Sequence, residues 1–216
     1  MTTSPTRSAP PRGRAARPVD KYDERRAQLA ESALATLGEL GYARTSLREI
    51  AQNSPFTHGV VHYYFSSKAE LIVHCVREYK KVCVTRYDDV VELSTSADEL
   101  AERFADKLVE TLSDDTAMHR LWYDLRTQSM FDDDLRADVL EIDLALEQMI
   151  WRVVTRYSEL ARRDPSFDSP TAYALLDGVF EKAVLAHLAD DPDALRDLRE
   201  RALQVMPTLL VPRRRR

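Results

Sequence analysis

The chain has 216 residues, enough for one domain or two small ones with an ample core. Hydrophobic residues make up 44% and charged residues 31%, glycines number only five, and few windows alternate with period two, which argues against a sheet-rich fold and for an all-α one. Two cysteines, Cys75 and Cys83, are too few for a disulfide framework or a zinc site and suit a reduced, cytoplasmic setting; no apolar run approaches ~18 residues, so no membrane span is expected, and the arginines near the start are not followed by the apolar segment of a secretory signal.

The net charge of −5 is unevenly spread. Residues 1–70 carry +3, residues 71–212 carry −12, and the last four arginines add +4. A nucleic-acid face therefore belongs at the N-terminal end, because the acidic remainder would be repelled by phosphate.

Residues 1–20 are rich in Pro, Ser, Thr and Arg, and build no core. Arg7, Arg12, Arg14 and Arg17 read either as a basic arm for phosphate or minor-groove contacts or as a solvated tail. Lys21 to Leu40 is predicted as a helix with Ala30, Ala33, Leu34, Leu37 and Leu40 on one stripe, ended by Gly41. Thr45 or Ser46 caps a short helix from Leu47 to Gln52. Pro55 breaks the chain after it, and Thr57 caps a second short helix, His58 to Tyr64. Ser67 and Glu70 open a third as a capping box. Two short helices across a tight turn form a helix-turn-helix, whose second helix can enter a DNA major groove.

From Lys68 one long helix is predicted to about Leu93, with Ile72, Cys75, Tyr79, Val82, Cys83, Arg86, Val90 and Leu93 on one face. Ser96 with Glu99 caps the next, to about Leu112, and Ser113-Asp114-Asp115 breaks it. Thr116 to Met130 carries Trp122, Tyr123, Arg126 and Met130, followed by Phe131. After Asp132-Asp133-Asp134 a helix of ~25 residues runs from Leu135 to the turn at Asp164-Pro165-Ser166-Phe167. Ser169-Pro170 and Asp191-Pro192 start the last two helices. The domains expected are thus an arm at 1–20, a DNA-binding head at 21–67, a helical body at 68–210 and a basic tail at 211–216.

Gly41-Tyr42, Thr45-Ser46, Ile50-Ala51, Thr57, Gly59, Tyr63-Tyr64-Phe65, Ser67-Lys68 and Leu71 resemble the N-terminal signature of the tetracycline-repressor (TetR) family, over about Ala27 to Leu71. By that resemblance His58, Val60 and His62 sit where the family reads base edges or phosphates. Gly59 lets the backbone approach DNA, Val60 can touch a thymine methyl, and Thr45, Arg48, Thr57, Tyr63 and Lys68 suit phosphate oxygens. Two positions depart from the family pattern: His62 stands where Tyr is usual, and Pro55 where Gly is usual in the turn, so the turn must bend without a positive φ.

The resemblance further implies a double-stranded operator, a homodimer and a body cavity for a small-molecule effector. Phe104, Trp122, Tyr123, Arg126, Met130, Trp151 and Tyr157 are candidate lining residues, against the simpler reading that aromatics at helical spacing are plain core. Arg126 needs a partner: Asp124, Asp143 or an anionic ligand. The last two helices are the candidate dimer face, with Leu175, Leu176, Val179, Phe180, Ala183, Leu195, Leu198 and Ala202, forming a four-helix bundle as in the family. A ligand that tilts the helix from Lys68 to Leu93 would respace the two heads on a near-palindromic operator.

His58 and His62 are four apart, a metal-ligand spacing, but lack a third ligand nearby. There is no Ser-His-Asp ordering, P-loop or Gly-rich dinucleotide turn, so neither an enzyme nor a cofactor is expected. The leading expectation is a repressor released by a small molecule. A DNA-binding regulator controlled by a protein partner comes second, and a helical enzyme or scaffold a distant third.

Overall fold

The computed structural model describes residues 18–213. The basic arm with Arg7, Arg12, Arg14 and Arg17, and Arg214–Arg216 of the tail, lie outside the described residues, as do the side chains at positions 18–21, 79, 80 and 82, including Tyr79 and Val82 of the predicted stripe.

Among the described residues the fold is helical throughout, apart from one two-residue ladder. Helix α1 spans Pro18–Leu40 and starts three residues earlier than predicted; proline has no N–H to lose in a first turn and its φ is already helical. It ends at Gly41, φ +77, where a Cβ would also meet Asp124 Oδ2 at 3.1 Å. Helices α2 (Leu47–Gln52) and α3 (His58–Tyr64) follow at the expected positions. Ser46 caps α2 in a reciprocal box with Glu49, and Thr57 Oγ1 accepts the Val60 N–H at 3.4 Å. The turn around Pro55 uses no left-handed residue. The Ser54 hydroxyl instead donates to the Ala51 carbonyl and accepts the Phe56 N–H, at 3.3 and 3.2 Å, bending the chain through side-chain hydrogen bonds.

Helix α4 covers Lys68–Cys83 and stops ten residues before the predicted end at Leu93. A turn at 84–87 separates it from α5 (Asp88–Leu93). Tertiary contacts explain the break. Tyr87 turns inward, 4% exposed, with its ring edge against Phe104, while Arg152 holds the Val84 carbonyl and, at 3.0 Å, Asp88. Asp88 and Asp89 then suit the positive end of the new helix.

Helix α6 (Ala97–Gln128) is continuous in hydrogen bonding, but Asp115 has φ −120 and ψ 26. The predicted break at Ser113–Asp115 is a kink rather than a gap. Helix α7 (Asp133–Ala161) ends on left-handed Arg162. Helix α8 (Ser169–Leu188) is capped by Asp168, with Ser169 already inside the helix. Helix α9 (Ala194–Val205) runs into a 3₁₀ turn, Met206–Leu209. Strands β1 (Asp164–Pro165) and β2 (Leu210–Val211) pair antiparallel, bringing the end of the chain back to the α7–α8 loop.

Two apolar clusters result. One joins Leu29, Leu37, Ile50, Val61, Phe65 and Leu71 of the head to Leu121, Leu125, Val139 and Ile142 of α6 and α7. The other fills the body between α5, α6, α7, α8 and α9. Head and body therefore meet across shared core, not across a linker. No described helix is long and apolar enough to cross a membrane.

Candidate nucleic-acid interface and the cavity behind it

Helix α3 presents one polar face and anchors the other. Val61 and Phe65 are fully buried, and Arg26 of α1 lies over the Phe65 ring at 4.7 Å while pairing with Glu70 at 2.8 Å. That clamp fixes α3 between α1 and α4. The opposite face is open: Thr57, His58, Gly59 and His62 are exposed, Tyr63 is 73% exposed, and Val60 is half-buried. A Cβ on Gly59 would meet nothing within 4 Å, so a flat surface can approach its backbone. The rings of His58 and His62 meet edge to face at 4.4 Å. Tyr63 leans on Tyr22 and Tyr64, with centroids at 6.4 and 5.1 Å, which orients its hydroxyl end outward at little further entropic cost.

Two of the expected phosphate-binding side chains are committed inside the protein. Thr45 is 3% exposed and its hydroxyl donates to the Gly41 carbonyl at 2.7 Å. Lys68 donates to the Tyr42 carbonyl at 2.7 Å and its ammonium lies 3.9 Å from the Tyr42 ring centre. Burial holds Lys68 below its ordinary pKa, with Asp124 and Glu49 acting in the opposite sense. Both side chains are engaged by carbonyls of the α1–α2 loop. Arg48 is exposed.

Behind the head lies a partly open cavity of about 110 Å³. Its walls include Cys83, Tyr87, Trp122, Tyr123, Tyr173 and Phe180, with Arg86, His119 and Asp177 as ionisable members. Trp122 and Tyr123 thus line it as expected. Phe104 does not; it is fully buried behind Tyr87. Trp151 and Tyr157 pack in the body core, and Met130, 68% exposed, sits on the α6–α7 turn pointing away from any core. Arg126 stands behind the wall. It pairs with Asp177, and with Asp143 at 3.6 Å, whereas Asp124 accepts the Tyr42 N–H at 2.6 Å. Tyr123 and Tyr173 donate to Asp177 and Asp143, each at 3.0 Å. Burial, reinforced by these carboxylates, raises both phenols above their ordinary range. Burial also pushes His119 down to about 4, with Arg86 adding to the effect, so its imidazole is neutral near pH 7 and shares a proton-mediated contact with the Thr111 carbonyl at 3.1 Å.

Asp177 was missed at the sequence level, although a carboxylate directly after the apolar run 172–176 of α8 is the signal that marks it. Arg120 and Asp124, which grip the end of α1, carried no such signal. The α8–α9 face also needs correction. Leu176, Phe180, Ala183, Leu198 and Ala202 are buried in the protomer's own core, because these helices turn their main apolar sides onto α6 and α7. Leu175 is 41% exposed, and Val179 and Leu195 are half-buried. No cluster of three or more metal-ligating side chains occurs among the described residues.

Residues 29–75 match the family described as bacterial regulatory proteins, tetR family. The repressor KstR2 of Mycobacterium tuberculosis is 30% identical over 76 residues, covering 35% of this chain and 38% of that repressor, so the match spans little more than a third of either protein. The regulator TtgR of Pseudomonas putida is 24% identical over 194 residues, 84% of this chain and 90% of TtgR. The fold of FadR from Bacillus subtilis, solved with stearoyl-CoA, superposes with a TM-score of 0.68 at 18% identity over 83% of this chain and 96% of FadR. Residues 29–75 are thus a tetR-family DNA-binding head, carried on a fold shared with TetR regulators of solved structure.

Proposed function

We propose that the protein is a homodimeric repressor that a small molecule releases from a near-palindromic operator. One observation carries this reading: a single half-helix both walls the cavity and holds the head. Beyond the Asp115 kink, α6 supplies Met118, His119, Leu121, Trp122 and Tyr123 to the cavity. From the same half-helix, Arg120 donates to the carbonyls of Gly38 and, at 3.0 Å, Glu39, while Asp124 caps Tyr42. Ala117 lies against the position of Gly38, where an added Cβ would come within 3.2 Å.

The cavity is smaller than the ~150 Å³ void that admits benzene. A larger guest must displace a wall, and α6 past its kink is the wall tied to α1. The lever is therefore α6 acting on α1 together with the shortened α4, in place of one long helix from Lys68 to Leu93. A ligand that prefers the displaced arrangement weakens DNA binding by its differential affinity; ~1–3 kcal/mol corresponds to roughly 5–150-fold. FadR, solved with an acyl-CoA, supports effector control on a shared fold.

The dimer follows from the reach of one head, which spans too few base pairs for selectivity. On α8 an outward stripe of Ala174, Leu175, Gly178, Lys182 and Leu185 is exposed, and Gly178 opens onto free space. That stripe replaces the buried residues as the proposed self-contact. The test is to select bound sequences from random duplexes with the full-length protein, then screen compounds for release of the best one. Selection of a two-fold symmetric site and its release by a compound support the reading; selection of none overturns it.

A further inference from the structure

The α8 side of the body cavity presents a carboxylate. Asp177, 12% exposed, lines the cavity with Oδ1 accepting from Tyr123 and Oδ2 paired with Arg126. The same guanidinium also serves Asp143 at 3.6 Å, and Glu181 on α8 adds a third negative charge acting on Tyr123. Behind the wall one guanidinium, Arg126, thus stands near three carboxylates, of which Asp177 lines the cavity. Arg86, the guanidinium that does line the cavity, is paired with Asp115, and the half-buried His119 is neutral. An anion would meet this wall at a cost, and a neutral guest would desolvate it without compensation. The remaining walls are aromatic: Tyr87, Trp122, Tyr123, Tyr173 and Phe180. Ring faces stabilise an organic cation. Each oxygen of Asp177 already accepts one hydrogen bond, and the rings offer faces rather than acceptors, so a guest that brings charge without N–H donors leaves no donor of its own unpaired.

We propose that the ligand of this cavity is a compact lipophilic cation of the quaternary-ammonium class, held by the charge of Asp177 among Trp122, Tyr123 and Tyr173. This rests on the ligand-released reading above. It is tested with three compounds of one shape, phenyltrimethylammonium, tert-butylbenzene and benzenesulfonate, titrated into the full-length protein and followed by tryptophan fluorescence. The cation is expected to bind about tenfold or more tighter than either partner, and Asp177→Asn to remove that preference by weakening the cation while tert-butylbenzene binds no weaker than before. Equal or tighter binding of the neutral or anionic compound, or binding of none, overturns the proposal. Should Asp177→Asn not fold, Glu181→Gln, at an exposed position, is expected to lower the preference in the same direction; an unchanged preference there counts against it. Release of the selected operator by the neutral or anionic compound alone would defeat the cation assignment and leave ligand control standing. Cation binding that leaves the operator bound would defeat ligand control instead.

Discussion

His119 is the half-buried side chain whose chemistry has a direct consequence in solution. Its folded-state pKa of about 4 lies below the ordinary value near 6.5, so the unfolded chain takes up a proton between those limits and the folded one does not. Stability is full above pH 6.5 and falls as pH drops towards 4. The loss is on the order of 2 kcal/mol after allowance for partial exposure. Denaturant midpoints measured from pH 7.5 to 4 should show His119→Asn flattening this acid limb; an unchanged limb would mean that other groups dominate it. On the outer surface, His58 and His62 lack buried contacts that a truncation would disturb. Each alanine variant should keep the melting temperature while costing operator affinity ~1–3 kcal/mol. Arg48→Ala should instead reduce the salt slope of binding by about one across all sequences. Quantitative binding at several salt concentrations separates the two patterns.

At the scale of elements, short-range chemistry was legible and long-range chemistry was not. Ser46, Thr57 and Ser96 stop or start helices through bonds within three residues, and Gly41 through its own backbone freedom, so their helices lie where the spacing puts them. The turn at 84–87 depends on Phe104 and Arg152, each far along the chain, and no local pattern announces it. Helix α8 is apolar on nearly every side, which signals contact but not direction; Leu176 and Leu175 are neighbours in sequence and face opposite ways. The latch from α6 to α1 belongs to the same long-range class, since Asp124 and Tyr42 stand 82 residues apart. Removing it is informative. Asp124→Ala should cost ~1.5–3 kcal/mol, the range for a hydrogen bond to a charged group, and Arg120→Met should leave effector binding intact while shrinking the effector's influence on operator affinity. Comparing effector affinity with and without operator measures that coupling; undiminished coupling in both variants would remove α6 from the pathway.

For the whole molecule, the proposed dimer sets the question of how two copies of α3 are held. The charge split places the acidic body away from phosphate, and the stripe on α8 is the exposed surface proposed for self-contact once the buried residues are set aside. Leu175→Asp combined with Leu185→Asp should convert the dimer to monomer in sedimentation velocity while the helical content holds, because both side chains are already exposed at 41% and 64%. Operator affinity should fall with it, since each head alone contributes only its half-site. The most direct measurement is a hydroxyl-radical footprint of the full-length protein on its selected operator. Two protected patches on one face of the duplex, related by a dyad and separated by about one or more helical turns, are what a pair of groove-inserted α3 helices produces. A single patch, or protection without two-fold symmetry, would contradict it.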